Sequence, residues 1–407
     1  MTFECQRDSY KQKFTSIVES CTPTSVKLPE SKESTEGFNV YLKDTILFPE
    51  GGGQPDDRGT IDGAPVHRVI RVADKACHFT LEHMKVGSEV QIQVDWERRF
   101  DHMQQHSGQH LITAIADSKY GFKTTSWNLG KSVSFIELDT PSITTEQIDE
   151  IEAVVNCKIR ECVPVHVHEY ADKNDKELQN ARTRGLPEDH TGAVRMIEIK
   201  GIETDMCCGT HVSNLSHLQV VKLLYSEKGK KGKSNLYFVV GKRVLDYLSA
   251  CLAREKTLST LLKSCPEDHV MLVEKCQKSV KLAQKSNSSL MKDLATLEGK
   301  NFKQIQPRPK HFFMHRNDIQ PEFMNRVIKE ISDPNIIYFM SVGEDKGPGH
   351  VIIIGPQIMI DEINPRVCNL LGGKGFVKNG QFQAKVTNLS KVDIIEQYIK
   401  DLIYSDI

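Results

Sequence analysis

The chain has almost no excess of charge: 53 Lys and Arg stand against 54 Asp and Glu, a formal net charge of −1 over 407 residues. Overall charge therefore does not announce a polyanionic partner, and any basic surface must be local. Long hydrophobic runs are missing too. No stretch approaches the roughly 20 apolar residues of a membrane span, and the segment from Met1 to Asp8 lacks the apolar core and cleavage pattern of a signal peptide. A paired-cysteine framework is also lacking. The 11 Cys are an odd number scattered over the whole chain, which points to reduced thiols and a cytoplasmic protein.

What is present is an ordinary soluble composition, 39% apolar and 26% charged, at a length that suggests two to four domains. Residues 1–97 read as a β-rich, barrel-like domain. Short β-branched runs occur at Val40–Phe48, Val66–Val72 and Val90–Val94. Between the first two, Pro49-Glu-Gly-Gly-Gly-Gln-Pro-Asp-Asp-Arg-Gly59 cannot continue a strand or a helix. It predicts a loop whose backbone comes very close to something, or else a plain turn. From Arg98 the pattern becomes α+β. Residues 101–118 predict a helix with Met103, Leu111, Ile112 and Ile115 on one stripe and Asp101 as N-cap. A strand is expected over 133–138, a helix over 144–162 begun by Thr144-Thr-Glu-Gln, and strands over 196–200 and 236–240.

This α+β region is bounded at 98–243. Residues 244–300 read as a helical coiled-coil segment, broken at Cys265-Pro266. Its second half spaces Val273, Cys276, Val280, Ala283, Asn287, Leu290, Leu294 and Leu297 in threes and fours. Such a seam pairs either with the preceding helix, as an antiparallel hairpin, or with a second chain. After a linker at 303–310, residues 311–407 alternate helix and strand as a small α/β domain. There Gly372-Gly-Lys-Gly375 predicts a Gly-rich turn, which could admit a phosphate to the backbone.

His106-Ser-Gly-Gln-His110 places two imidazoles on one helix face. Far along the chain, Cys207-Cys-Gly-Thr-His211 offers a second pair at the same spacing. Three His and one Cys would complete a tetrahedral zinc site, and imidazole with thiolate suits zinc better than magnesium or calcium. The alternative is a set of unrelated core or surface histidines. His102 lies one turn before His106, and roughly 12 Å of helix rise keeps it and His110 from one ion. Cys208 rivals Cys207. Spacing does not choose within either pair.

At these residues the chain resembles the editing domain of alanyl-tRNA synthetases and its free-standing relatives, the long-form AlaX or alanyl-tRNA editing proteins. Phe48-Pro-Glu-Gly-Gly-Gly-Gln-Pro55, His106-Ser-Gly-Gln-His110 and Cys207-Cys-Gly-Thr-His211 match three motifs of that family in its order. The resemblance extends over essentially the full chain and is strongest from 40 to 245. It implies one zinc per chain on His106, His110, Cys207 and His211, with Cys208 standing where the family often has Gly. It implies deacylation, in trans, of alanine tRNA wrongly charged with serine or glycine, and no charging activity. No adenylate-forming motif of a synthetase is recognised, and no residue stands out as a general base. The C-terminal part resembles the domain that follows editing in those synthetases, where it helps to bind tRNA and to associate chains.

Lys230, Lys231 and Lys233, in the run Glu227–Asn235, form either a solvated loop or, in a tRNA-binding protein, a phosphate-contacting one. Two other functions compete. A zinc peptidase needs a Glu base between the histidines, where this chain has Ser107, Gly108 and Gln109. A non-catalytic tRNA-binding protein with structural zinc fits the heptad seam and the possible self-association it carries.

Overall fold

The computed structural model describes residues 2–28, 33–171, 194–378 and 380–404. The chain divides into two compact units, Met1–Thr257 and Leu258–Ile407. No helix among the described residues is long and apolar enough to cross a membrane.

The first unit opens with a short helix, α1 (Glu4–Arg7), and six antiparallel strands: β1 (Lys13–Lys27), β2 (Ser34–Leu42), β3 (Gly59–Ile61), β4 (Ala64–Val72), β5 (Lys75–Thr80) and β6 (Glu89–Val94). They close into a barrel in the order β1-β2-β5-β4-β3-β6. Alternation drives the closure. In β6, Val90, Ile92 and Val94 are buried while Glu89, Gln91 and Gln93 are exposed, so one side of each strand fills the interior.

The run Val40–Phe48 is not one strand. β2 stops at Leu42. Asp44 and Thr45 then turn the chain, with Leu47 N–H donating to Thr45 Oγ1 at 3.0 Å, and Ile46, Leu47 and Phe48 enter the barrel core from a loop. Polar side chains that bond nearby backbone compete with a ladder in this way.

Helix α2 (Trp96–Tyr120) begins a turn and a half earlier than residue 101. Asp95, not Asp101, is its N-cap, and accepts from Arg98 N–H at 3.2 Å. Asp101 instead pairs with Arg243 at 2.7 Å. The single expected stripe is also too narrow, because every residue from His102 to Ala116 is buried. Its buried amides are matched individually. Gln105 donates to Val240 O and accepts from Val240 N–H, both at 3.0 Å, as buried polar groups require.

β7 (Thr124–Asn128), β8 (Ser134–Leu138), β12 (Val221–Lys228) and β13 (Ser234–Val240) form a sheet in the order β12-β13-β8-β7. Its inner face packs with α2 and with α3 (Thr145–Arg160). α3 starts where the sequence predicts, in a capping box between Thr144 and Gln147. A smaller sheet, β11-β10-β9, comprises β9 (Val165–Tyr170), β10 (Val194–Ile199) and β11 (Glu203–Met206). Helix α4 (Lys242–Leu262) follows β13.

The second unit contains α5 (His269–Gln304), β14 (His311–Arg316), α6 (Glu322–Ile331), β15 (Ile337–Gly343), β16 (Gly349–Ile354), α7 (Gln357–Leu371), β17 (Gly373–Lys378), β18 (Gln381–Val386) and α8 (Val392–Tyr404). Its sheet runs β14-β15-β16-β18-β17. Only β14 and β15 are parallel, so it is mixed and mainly antiparallel. The Gly372–Gly375 run is not a free turn. Gly372 caps α7 at φ +63°, and Gly373–Gly375 start β17, where added Cβ atoms would strike Lys385 O and the Phe382 ring. Of the predicted heptad seam, Val273, Val280, Leu290 and Leu297 are exposed. Towards its end α5 does pack, with Leu294 of that seam beside Met291, Ala295 and Phe302 against α6 and the sheet.

Candidate metal centre

Helix α2 presents His106 and His110 one turn apart, and the loop after β11 brings Cys207 and His211 against them. One ligand atom from each of these four residues lies within 4.8 Å of the other three. Cys207 Sγ is 3.3 Å from His106 Nε2 and 3.3 Å from His211 Nε2. The three histidines are buried, whereas Cys207 is partly exposed. A tetrahedral zinc with ordinary bond lengths has ligand-to-ligand edges of about 3.5 Å, so the donor set and its spacing fit such an ion.

Each imidazole is held at its other nitrogen. The Thr210 backbone N–H donates to Gln54 Oε1 at 3.0 Å, and Gln54 Nε2 donates to Thr210 Oγ1 at 2.9 Å. Gln54 Oε1 is thereby an acceptor, so His106 Nδ1, 2.9 Å away, must donate to it. That assigns the tautomer and leaves His106 Nε2 as a lone pair facing Cys207. His211 Nδ1 is 3.1 Å from Ser107 Oγ, which also accepts from Val212 N–H. His110 Nδ1 lies 3.2 Å from Asp205 Oδ2.

The electrostatics are those of a site short of positive charge. Burial opposes ionisation of the Cys207 thiol, but His106 and His211 outweigh it and hold the thiol well below its ordinary range. Burial pulls the pKa of His106 and His211 down. In His110 burial acts the same way, yet bonds to Asp205 and Cys207 push it up to about 10. A metal cation arriving here would meet a thiolate at Cys207 and would displace the proton that His110 holds.

The glycines serve close approach. A Cβ on Gly209 would lie 2.2 Å from the His106 ring, and one on Gly108 would lie 2.6 Å from Val240. Gly53, at φ +84°, sits under the Trp127 indole, which donates to Gly52 O at 3.2 Å and packs on His106 with centroids 4.7 Å apart. The loop Phe48–Gly59 is thus the piece of the barrel that reaches the cluster. It is anchored by Asp57, which accepts from Phe48 N–H at 2.6 Å and pairs with Arg99 of α2 in a bridge wholly removed from solvent.

His102 and Cys208 fall outside the four-residue group. His102 is buried, and burial together with Arg98 and Arg243 pushes it down to about 3. Cys208 Sγ lies over Gly51 and Gly52, where burial and the Cys207 charge push the thiol up to about 11. Lys230 and Lys231 are exposed in the β12–β13 turn, whereas Lys233 is half-buried and tied to Glu137 at 2.9 Å. Sequence reasoning did not single out Gln54, Ser107, Asp205 or Trp127. Gln54 had a signal, as the one long polar side chain within the Gly-Gly-Gly-Gln-Pro run. Asp205 had a weaker one, two residues before Cys207 on a strand.

Residues 194–239 match the threonyl and alanyl tRNA synthetase second additional domain. The chain is 51% identical to the alanyl-tRNA editing protein Aarsd1-B of Xenopus laevis, over 100% of this chain and 98% of that one. It is 51% identical to Aarsd1 of Danio rerio, over 99% and 98%. The alanyl-tRNA editing protein AlaX-L of Pyrococcus horikoshii is 29% identical over 56% of this chain and 57% of its own. The chain belongs to the alanyl-tRNA editing protein family. Among solved structures, the C-Ala domain of Aquifex aeolicus alanyl-tRNA synthetase matches 22% of this chain and 87% of its own at 13% identity, with a TM-score of 0.20, too slight a likeness to argue from.

Proposed function

We propose that the chain is a trans-acting, zinc-dependent aminoacyl-tRNA deacylase that hydrolyses the ester of wrongly charged tRNA(Ala), with Ser-tRNA(Ala) and Gly-tRNA(Ala) as substrates. The observation that carries this reading is the convergence of His106, His110, Cys207 and His211, each imidazole oriented from behind, in a chain of this family. The chemical need is plain. An alanine pocket admits glycine and rejects serine poorly, because one hydroxyl gives little discrimination in a small site.

The four residues would hold one zinc per chain, which supplies a positive centre able to polarise the ester or to orient the substrate's amine and terminal ribose. The surrounding residues prepare that site. Gln54 fixes the His106 tautomer, Ser107 and Asp205 aim the other two rings, and Trp127 shields one side from water. No general base is assigned.

Four protein donors also favour a second reading, in which zinc is structural and the protein binds tRNA without hydrolysing it, since catalytic zinc usually keeps a position open. One experiment separates the two. Deacylation of Ser-tRNA(Ala) is followed with wild type, Cys207→Ala and His102→Ala, and zinc is measured on the same samples. The proposal expects turnover by wild type and His102→Ala with one zinc each, and loss of both zinc and turnover in Cys207→Ala. A zinc-loaded wild type that binds tRNA without hydrolysis would establish the structural reading.

A further inference from the structure

The sheet β12-β13-β8-β7 has one face in the core, through Leu223, Leu236, Phe238, Ile136 and Leu138. Its opposite face carries an aromatic row in register across three strands: Tyr225 opposite Tyr237, Tyr237 opposite Phe135, and Phe135 opposite Asn128 of β7. The Tyr225 and Tyr237 rings stack at 4.7 Å, and Tyr237 meets Phe135 at 5.4 Å. Cross-strand aromatic pairs stabilise any sheet, but this row does not end inside the protein. Tyr225 lies on the edge strand, is 44% exposed, and has one ring face against Tyr237.

The surroundings identify the occupant. Lys228, Lys230 and Lys231 are exposed at the β12–β13 turn and make no ion pair among the described residues. The two nearby carboxylates are engaged, Glu137 by Lys233 and Thr125, and Glu227 by the Tyr237 hydroxyl. Stacked rings beside unpaired cations match a single-stranded polynucleotide, whose bases stack and whose phosphates seek charge. The row also leads to the metal centre. From Asn128 at its end, the next residue along β7, Trp127, turns to the inner side and covers His106. Three inter-strand steps span roughly 14 Å, about the length of four stacked nucleotides at ~3.4 Å each.

We propose that this face is a stacking platform for the unpaired 3′ nucleotides of the tRNA, with a nucleobase extending the ring stack on Tyr225 and the chain passing over the β7 edge to the metal centre. The proposal rests on the deacylase reading above and adds the surface by which the acceptor end is delivered. The test uses the full-length protein with Tyr225→Leu, which keeps apolar area but removes the ring, and Tyr225→Phe, which keeps the ring. Single-turnover deacylation is measured against enzyme concentration. Quenching of 2-aminopurine, placed in turn at each unpaired 3′ position of an acceptor-stem hairpin, reports stacking directly.

Tyr225→Leu should raise the half-saturating concentration about 10-fold, leave the saturated rate within about 2-fold, and lose quenching at one position. Tyr225→Phe should behave as wild type. Wild-type affinity and quenching in Tyr225→Leu, with wild-type deacylation intact, would overturn the platform while leaving the enzyme reading standing. A wild-type protein that hydrolyses nothing would instead remove the enzyme reading, and the platform with it.

Discussion

Gln54→Ala is the substitution that asks most of the site's architecture. The Gln54 side chain is wholly buried and makes three hydrogen bonds, to Thr210 N–H at 3.0 Å, Thr210 Oγ1 at 2.9 Å and His106 Nδ1 at 2.9 Å. Alanine removes all three and frees the His106 ring to rotate and change tautomer. At a net of about 1 kcal/mol per bond, the fold should lose roughly 3 kcal/mol. Loss of a partner behind a ligating histidine lowers metal affinity ~10- to 100-fold, or about 1.4–2.7 kcal/mol. Gln54→Glu is the control. Its carboxylate still accepts from Thr210 N–H and His106 Nδ1–H, and the Thr210 hydroxyl can rotate to donate, so zinc should stay tightly held. Zinc affinity is measured by competition with a chromophoric chelator, and folding is followed by circular dichroism. A folded Gln54→Ala protein that binds zinc as tightly as wild type would refute the orienting role.

The remaining predictions concern protons, packing and RNA. Metal-free His110, raised to about 10 from 6.5, keeps its proton at neutral pH, so zinc uptake at pH 7 should release about one proton, measurable by titration in weak buffer. A raised pKa contributes stability that is fully present below 6.5 and lost as pH rises through about 10. The metal-free protein should therefore weaken between pH 7 and 10, and Asp205→Asn should flatten that slope; a slope unchanged by Asp205→Asn would contradict the assignment. Asp57→Ala strands the fully buried Arg99 guanidinium and should lower urea stability by about 3–5 kcal/mol; a loss below about 1 kcal/mol would mean that Arg99 finds another partner. Lys230→Ala and Lys231→Ala should each reduce the logarithmic salt dependence of tRNA affinity by about 1, and Lys233→Ala by less, because Glu137 holds it. Equal effects from all three would show that the Glu137 pair opens on binding.

Much of this was legible in the sequence because local rules governed it. Thr144 and Gln147 form the capping box that their spacing predicts, and β6 alternates as its sequence does. The two His/Cys pairs meet because each sits on an element with its own geometry, a helix turn and a post-strand loop. Other features failed where tertiary contacts outweighed local pattern. α2 is polar over much of its surface yet buried all round, because glutamines such as Gln105 find backbone partners on β13 that no periodicity announces. Asp101 looked like a cap, but the guanidinium that claims it, Arg243, lies far along the chain. Gln54 and Asp205 act on the site only through the imidazoles they touch, and that relation exists only in space. Strands β14, β17 and β18 escaped because their residues carry little β-branching, and pairing with β15 and β16 decides them.

The Gln54 bridge gives the metal a bearing on assembly as well as on chemistry. All four candidate ligands lie in the α+β layer, yet the side chain that sets the His106 tautomer comes from the barrel, and Asp57 of the same loop is bolted to Arg99 of the ligand-bearing helix. An ion bound only by the correctly oriented set favours the joined state of barrel and layer by mass action. With zinc present the barrel and the layer should then melt together, and chelation should lower the midpoint for barrel probes as well as for probes beside the ligands, both in the first unit. On this reading a bound ion reports that barrel and layer have joined, because Gln54 and Asp57 reach the ligand-bearing elements from the barrel.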